Sequence, residues 1–523
     1  MIIDGAPLAL ADVVAVARHG ARVELAGSVA ERMRPSREWI AGLFDAEVGP
    51  VYGVNTGFGS LAGQGAYQDE ADAAELSRRL VLSNACGVGR ELDTEVVRAA
   101  MLLHAASLTR GRSGVPVALV ETLVAMLNAG VTPVVPEYGS LGASGDLIPL
   151  AHVALVVTRP AGEDGEAESG FADHAGARKT GLAAMRDAGI ERFVLGAKGG
   201  LALLNGTSFS TALAALALAD AQALADTADL AVALSAQALL GFRDAFLPEV
   251  HDARGQAGQA ASAARIRGLL DGSRLVDGGA DADPERQPPQ DAYAVRCAPQ
   301  VHGAARDVLG FAATTIGREL GAITDNPLIV TELPRPLKAV SGGNFHAEPI
   351  AFASDFMTIA VTEIASIAER RLARLVDPAL NRGLPAMLIA SDPPGIDCGF
   401  MLPQYLAAGL VSDCKTLAHP DSVDSIPTSA NQEDHVSMAM NAGRHARQAV
   451  WNATAVVALE LHAVAQAIDL RVAEPGRSLG DLSPATRRAY EAIRGVVDFQ
   501  ARDELLSPRV AAVRALVADG GLC

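Results

Sequence analysis

Aromatic residues are scarce: 2 Trp, 6 Tyr and 13 Phe make up 4% of a 523-residue chain whose apolar residues amount to half. Alanine and leucine carry the difference, a composition that suits closely packed helices better than sheets. Cysteine is also sparse. Cys86, Cys297, Cys398, Cys414 and Cys523 are scattered, odd in number and without a CxxC pair. This excludes a disulfide framework, offers no metal-site spacing and fits reduced thiols in a cytosol. Positive charge is in deficit, 43 Lys and Arg against 61 Asp and Glu, for a net −18. Such a chain lacks the basic face that nucleic acid or an anionic membrane requires, so neither is expected as a partner. The opening MIIDGAPLALADVVAVARHG has no basic segment, and Asp4 and Asp12 break its apolar run. A secretory signal is therefore not expected, and the expected location is the cytoplasm. The most hydrophobic stretch, roughly Thr211 to Phe242, contains Asp220, Asp226 and Asp229, which marks a buried bundle helix and not a membrane span.

At this length two domains, or one very long helical bundle, are expected. The first two hundred residues are broken by Gly and Pro, in VYGVNTGFGSLAGQG, VTPVVPEYGSLGASGD and AGEDGEAESGFADHAG; loops of this kind, hung on helices, are where sites are built. Beyond about Gly206 the pattern turns to long Ala/Leu-rich periods, predicted as helices over Thr211 to Leu240, Gly303 to Ile323, Ala347 to Leu375 and Glu433 to Ile468. The reading is a mainly α protein, with a loop-rich N-terminal domain over 1–205 and a long-helix bundle over 206–523. Residues 272–290 (GSRLVDGGADADPERQPPQ) read as a loop and a candidate lid, residues 389–404 as a second loop, and Ser483-Pro484 as the N-cap and first turn of a last helical segment. No internal repeat is found. Gly57 to Ala62 matches the GxGxxA dinucleotide fingerprint, yet no apolar strand or βαβ pattern surrounds it, so a nucleotide site is not expected.

The chemically informative stretch is GSLGASGDLIPLAH, from Gly139 to His152. Within it Ala143-Ser144-Gly145 can turn its own backbone into an electrophile. If a tight turn presses the Gly145 amide nitrogen onto the Ala143 carbonyl carbon, ring closure and loss of two waters leave a methylidene-imidazolone. Gly145 and Gly142 lack a Cβ and reach the backbone angles this requires. Ser144 supplies the hydroxyl that departs, and Ala143 is too small to obstruct closure. The tripeptide alone is a common run in so Ala- and Gly-rich a chain; the whole run is not.

That run resembles the signature of the aromatic amino acid ammonia-lyases and aminomutases, which act on histidine, phenylalanine or tyrosine, and further blocks follow in the family's order from near residue 50 to near 465. The resemblance implies the long-helix bundle fold of the ammonia-lyase, fumarase/aspartase-like type, with the N-terminal domain carrying the prosthetic group. It also implies a methylidene-imidazolone formed autocatalytically from Ala143, Ser144 and Gly145, with no external cofactor. Tyr52, in VYGVNTGFGSLA, corresponds to the family's catalytic base, a role that needs its pKa lowered from about 10 by positive charge or hydrogen bonds. Asn205 in LALLNGT, and Gln290, Tyr293 and Arg296 in QDAYAVRCAPQ, match further blocks. Arg296 would clamp a substrate carboxylate through its planar fork, while Asn205 and Tyr293 would orient the amine or stabilise negative charge. Phe345 in SGGNFHAEP corresponds to a phenylalanine that packs beside the prosthetic group.

For the substrate, Glu433 in TSANQEDHVSM stands where histidine lyases have glutamate and phenylalanine and tyrosine lyases have glutamine. A carboxylate pairs with an imidazole N–H but would be an unpaired charge beside a phenyl ring. Ser83-Asn84 departs from the family, in which histidine lyases show Ser-His, tyrosine lyases His-Leu and phenylalanine lyases Phe-Leu. Asparagine hydrogen-bonds an imidazole but carries no charge. Asp397-Cys398 is a second departure, where Asn-Ser is usual. The resemblance implies a carbon–nitrogen lyase converting L-histidine to trans-urocanate. The alternatives are a lyase or 2,3-aminomutase acting on another aromatic amino acid and, more remotely, a silent helical scaffold. No catalytic metal is expected: His346 and His435 adjoin acids, but there is no HExxH, and structural roles are the reading for both. The family's tetrameric assembly, with sites shared between subunits, implies a homotetramer here.

Overall fold

The computed structural model describes residues 1–44, 49–63, 69–277, 290–393 and 395–522. Helices dominate, as the composition implies, and strands are short and peripheral. The four long helices are Ser208–Ala238, Ala298–Glu319, Glu348–Val376 and Ala439–Val472. Three begin within five residues of their expected starts. The fourth starts six residues later than expected, because Ser429, Ala430, Asn431 and Met438 hold positive φ between 50° and 66°, and Thr428 and Glu433 bridge through their backbones. Ser483 does cap the helix Pro484–Arg494, its Oγ accepting from Thr486 N at 3.0 Å. Most of the expected lid, residues 278–289, lies outside the described residues.

The chain forms two compact units. One gathers residues 1–216, 313–355 and 420–444; the other gathers 217–312, 356–419 and 445–523. Each long helix runs across one of these boundaries. These units gather distant segments, whereas the blocks 1–205 and 206–523 describe loop density along the sequence.

In the first unit the helix Thr94–Leu108 is buried on nearly every face. Its Arg98 reaches the carbonyls of Val16 and Leu127 and so satisfies the ends of two neighbouring helices. Further along it, His104 is held between Ser208 Oγ (3.1 Å) and Ala202 O (2.9 Å). Antiparallel pairing of Val88–Glu91 with Pro136–Tyr138 sets Val88 opposite Tyr138. This brings the end of the helix Glu70–Asn84 beside the turn that follows Tyr138. In the second unit, Arg371 and Glu460 form a fully buried bidentate pair at 2.6 and 2.8 Å, and Ser235 donates to the same carboxylate. Gly258 packs so closely that an added Cβ would lie 2.2 Å from Gly303 O.

Among the described residues, three helices are long and apolar enough to cross a membrane by length and composition, but 78%, 67% and 89% of their most apolar windows are buried inside the protein. These apolar faces are therefore matched by other protein segments.

His104 gives the fold an acid sensitivity. Burial pushes its imidazole down to about 4 from 6.5. Between those values the unfolded chain binds the proton at this position and the folded chain does not, so the contribution of His104 to stability rises with pH up to about 6.5 and is flat above. The span corresponds to about 3 kcal/mol. Melting temperatures recorded from pH 4 to 7 should fall less steeply with acid in His104→Gln than in the parent, whatever its overall stability; parallel profiles would remove His104 as the cause.

Candidate active site

The stretch 139–146 is clamped into a tight turn. Ser144, Gly142 and Gly145 all take positive φ, at 55°, 76° and 77°, a region that costs a non-glycine residue about 1 kcal/mol or more. At Gly145 an added Cβ would stand 2.3 Å from Gly206 O and 2.5 Å from Gly206 N, so only glycine fits. The carboxylate of Asp146, with no exposed surface, holds the turn from one side. It accepts from Ser140 Oγ, Ser210 Oγ and Ser210 N, each at 2.7 Å, and thus sits at the N-terminus of the helix Ser208–Ala238, where the helix dipole favours an anion. Burial pushes its pKa up and these hydrogen bonds oppose the shift. The Asp146 amide completes the clamp on Gly206 O at 2.7 Å. From the other side, Met438 N donates to Leu141 O at 2.8 Å. Asn205 Nδ2 donates to Ser144 O at 2.8 Å.

The turn lines a cavity of about 660 Å³, a size usual for small-molecule sites. Of the residues expected in a site, Tyr52, Asn84, Ala143, Ser144, Gly145, Asn205, Phe345 and Glu433 all line it. Ser144 Oγ donates to Glu433 Oε1 at 3.3 Å. Glu433 Oε2 and Asn205 Oδ1 are buried without a hydrogen-bond partner among the described residues, and such acceptors are costly unless a ligand satisfies them. Tyr52 OH accepts from Gly59 N at 3.1 Å. Burial is the main cause that raises its pKa above 10; Glu433 raises it further and the Gly59 hydrogen bond opposes both. This is opposite to the lowering that a catalytic phenol needs. Asn84 turns its amide to Leu80 O at 2.8 Å.

Four expected residues do not line this cavity. Ser83 is exposed and donates to Leu80 O. Gln290 is exposed at the margin of the described residues. Tyr293 is 70% exposed on the single turn Tyr293–Arg296. Arg296 lies with its guanidinium 5.1 Å from the Tyr293 ring centre and donates to Asp291 O. Sequence reading missed the supports beneath the site. Lys198, at φ 66°, caps the short helix Gly199–Leu204 that ends at Asn205. It is fully buried against Asp325, at 2.7 and 2.8 Å, and Asn326, next in the chain, lines the cavity. Burial lowers the Lys198 pKa while Asp325 opposes that shift. Losing either partner would strand a buried charge, a defect of about 3–5 kcal/mol. Nothing in the spacing of 198 and 325 announces this pair.

A closed ring between residues 143 and 145 fits these surroundings: a left-handed turn, no space for a Cβ at 145, and a donor on the 144 carbonyl. The aromatic amino acid lyase family model matches residues 8–495. Over 518 residues the chain is 47% identical to a histidine ammonia-lyase of Symbiobacterium thermophilum, covering 99% of this chain and 96% of that one. The fold superposes on a Trypanosoma cruzi histidine ammonia-lyase with a TM-score of 0.87 at 34% identity, covering 100% of this chain and 94% of the other. It superposes on the tyrosine aminomutase of Streptomyces globisporus with a TM-score of 0.90, also at 34% identity, covering 100% and 97%. The chain belongs to the aromatic amino acid lyase family.

Two variants separate the turn's conformation from its chemistry. A ring closed between 143 and 145 would give the parent a near-ultraviolet band; Ser144→Ala, which retains the backbone, should lack it, with the far-ultraviolet dichroism unchanged. Gly145→Ala should lose the same band by forcing the turn away from Gly206. Persistence of the band in Ser144→Ala would show that it does not arise from this tripeptide.

Proposed function

We propose that this chain is a cytoplasmic histidine ammonia-lyase, converting L-histidine to trans-urocanate and ammonia, and that it works as a homotetramer with shared sites. The observation that carries the substrate assignment is Glu433: its Oε1 faces the Ser144 hydroxyl that leaves on ring closure, and Oε2, buried in the cavity wall, lacks a partner among the described residues. An imidazole N–H supplies the missing donor and a phenyl ring does not. The curated relative of Symbiobacterium thermophilum, a histidine ammonia-lyase by name, supports the same substrate.

The methylidene-imidazolone formed from Ala143, Ser144 and Gly145 would supply an electrophilic alkene that makes the substrate amine a good leaving group. Asn205 and the Gly206 backbone hold those residues in place, and Asp146 fixes the turn to the helix behind it. Phe345 walls the cavity beside them. Tyr52 takes the β-proton of the substrate at its phenolic oxygen. Glu433 orients the imidazole, and Asn84 adds a neutral hydrogen-bonding group nearby. Arg296 and Tyr293, outside this chain's cavity, would bind the substrate carboxylate in the site of a neighbouring copy, the fork of Arg296 engaging both oxygens. The likeness to a tyrosine aminomutase supports one alternative, in which the same groups return the amine to the β-carbon of a retained product.

Parallel absorbance assays with L-histidine, L-phenylalanine and L-tyrosine, with ammonia titrated, test this assignment. Urocanate with stoichiometric ammonia from histidine alone is expected. A β-amino acid with little free ammonia would establish the mutase, and no turnover of histidine would make Ser83-Asn84 a change of specificity.

The pH profile follows from Tyr52. With its pKa raised, the phenolate is scarce at neutral pH, so kcat/KM should climb on the alkaline side. Glu433→Gln removes one of the two causes that raise it and should move the rise to lower pH even as the rate falls. An unmoved rise would detach it from Tyr52.

A further inference from the structure

We propose that His346, Glu348 and His435 form a divalent-cation site in the wall of the cavity. His346 stands two residues before Glu348, which opens the helix Glu348–Val376; His435 lies on the segment between the Thr428–Glu433 bridge and the helix Ala439–Val472. The imidazoles stack with ring centres 5.7 Å apart at 23°. His346 Nδ1 is 3.9 Å from Glu348 Oε2, and one ligand atom from each of the three residues lies within 4.8 Å of the others. Glu348 Oε2 is buried with no hydrogen-bond partner among the described residues, an arrangement that an ion between the three side chains would satisfy.

Two imidazoles and one carboxylate form a donor set suited to Zn2+ or Co2+. Bonds of about 2.1 Å require the ligand atoms to draw together by about 1 Å, which the exposed His435 achieves by side-chain rotation. Three protein ligands leave a coordination position open. His346 and His435 line the cavity whereas Glu348 does not, so the open position is accessible from the cavity and suits a carboxylate or imidazole nitrogen. Glu433 and Asp434 line the same cavity, and a cation there would offset their charge. The spacing 346, 348, 435 contains no familiar metal motif, so the sequence does not announce it.

The full-length protein, stripped with EDTA, is titrated with CoCl2 and ZnCl2 by calorimetry and, for cobalt, by visible absorption. One equivalent per chain with the d–d bands of a nitrogen and oxygen site is expected. Affinity should fall tenfold or more in Glu348→Gln and in His435→Asn, with unchanged melting of the metal-free variants. X-ray absorption of the zinc-loaded parent should report two imidazoles and a carboxylate, a readout that stands even if a variant unfolds. No binding by the parent, sulfur ligation, or undiminished binding in both variants would overturn the site. All readouts are of binding, so their failure is distinct from failure of the proposed reaction.

Discussion

The close approach of Gly145 to Gly206 is the constraint around which the first unit is arranged. Two glycine backbones meet where a methyl group on Gly145 would stand 2.3 Å from a carbonyl oxygen, and the two residues bridge in parallel. Such a contact is stable only if both strands are held from behind. Asp146 holds one strand through three side-chain hydrogen bonds to Ser140 and Ser210. Lys198 and Asp325 hold the other by anchoring the short helix that delivers Asn205. The tripeptide is thus braced from behind by Asp146, Ser210, Lys198 and Asp325, which do not line the cavity, and from within it by Ser140 and Asn205.

Buried charge recurs as the means of support. Arg371 with Glu460, and Lys198 with Asp325, are pairs removed from water in which each carboxylate takes two contacts from its cation. Replacing such a pair by apolar residues is often neutral for stability, whereas removing one partner is not. In interiors composed largely of alanine and leucine, which pack in many near-equivalent ways, a bidentate pair has one geometry. This specificity suits a site whose groups must meet within tenths of an ångström.

Much of the fold was legible because long Ala/Leu periods with few Gly or Pro have few alternatives to a helix, and the observed ends fall close to those read from periodicity. Within the site, Tyr52, Asn84, Asn205, Phe345 and Glu433 were found through blocks that resemble those of the family, and all reach one cavity. What escaped was non-local. The partners of Lys198 and Asp146 lie 127 and 64 residues away, and neither spacing carries a periodic signal. Tyr293 and Arg296 were recognisable as residue types, but their position outside this chain's cavity is a property of three-dimensional packing. The late start of the helix at Ala439 was hidden because left-handed Ser429, Ala430 and Met438 are residues with no propensity for that conformation.

The hydrogen bond between Ser144 and Glu433 joins positions 289 apart. During synthesis the turn therefore emerges from the ribosome long before the carboxylate that faces it and the Met438 amide that fastens its Leu141 carbonyl. An unfinished chain holds the tripeptide without the enclosure around it. Completion of the polypeptide is thereby coupled to completion of the cavity.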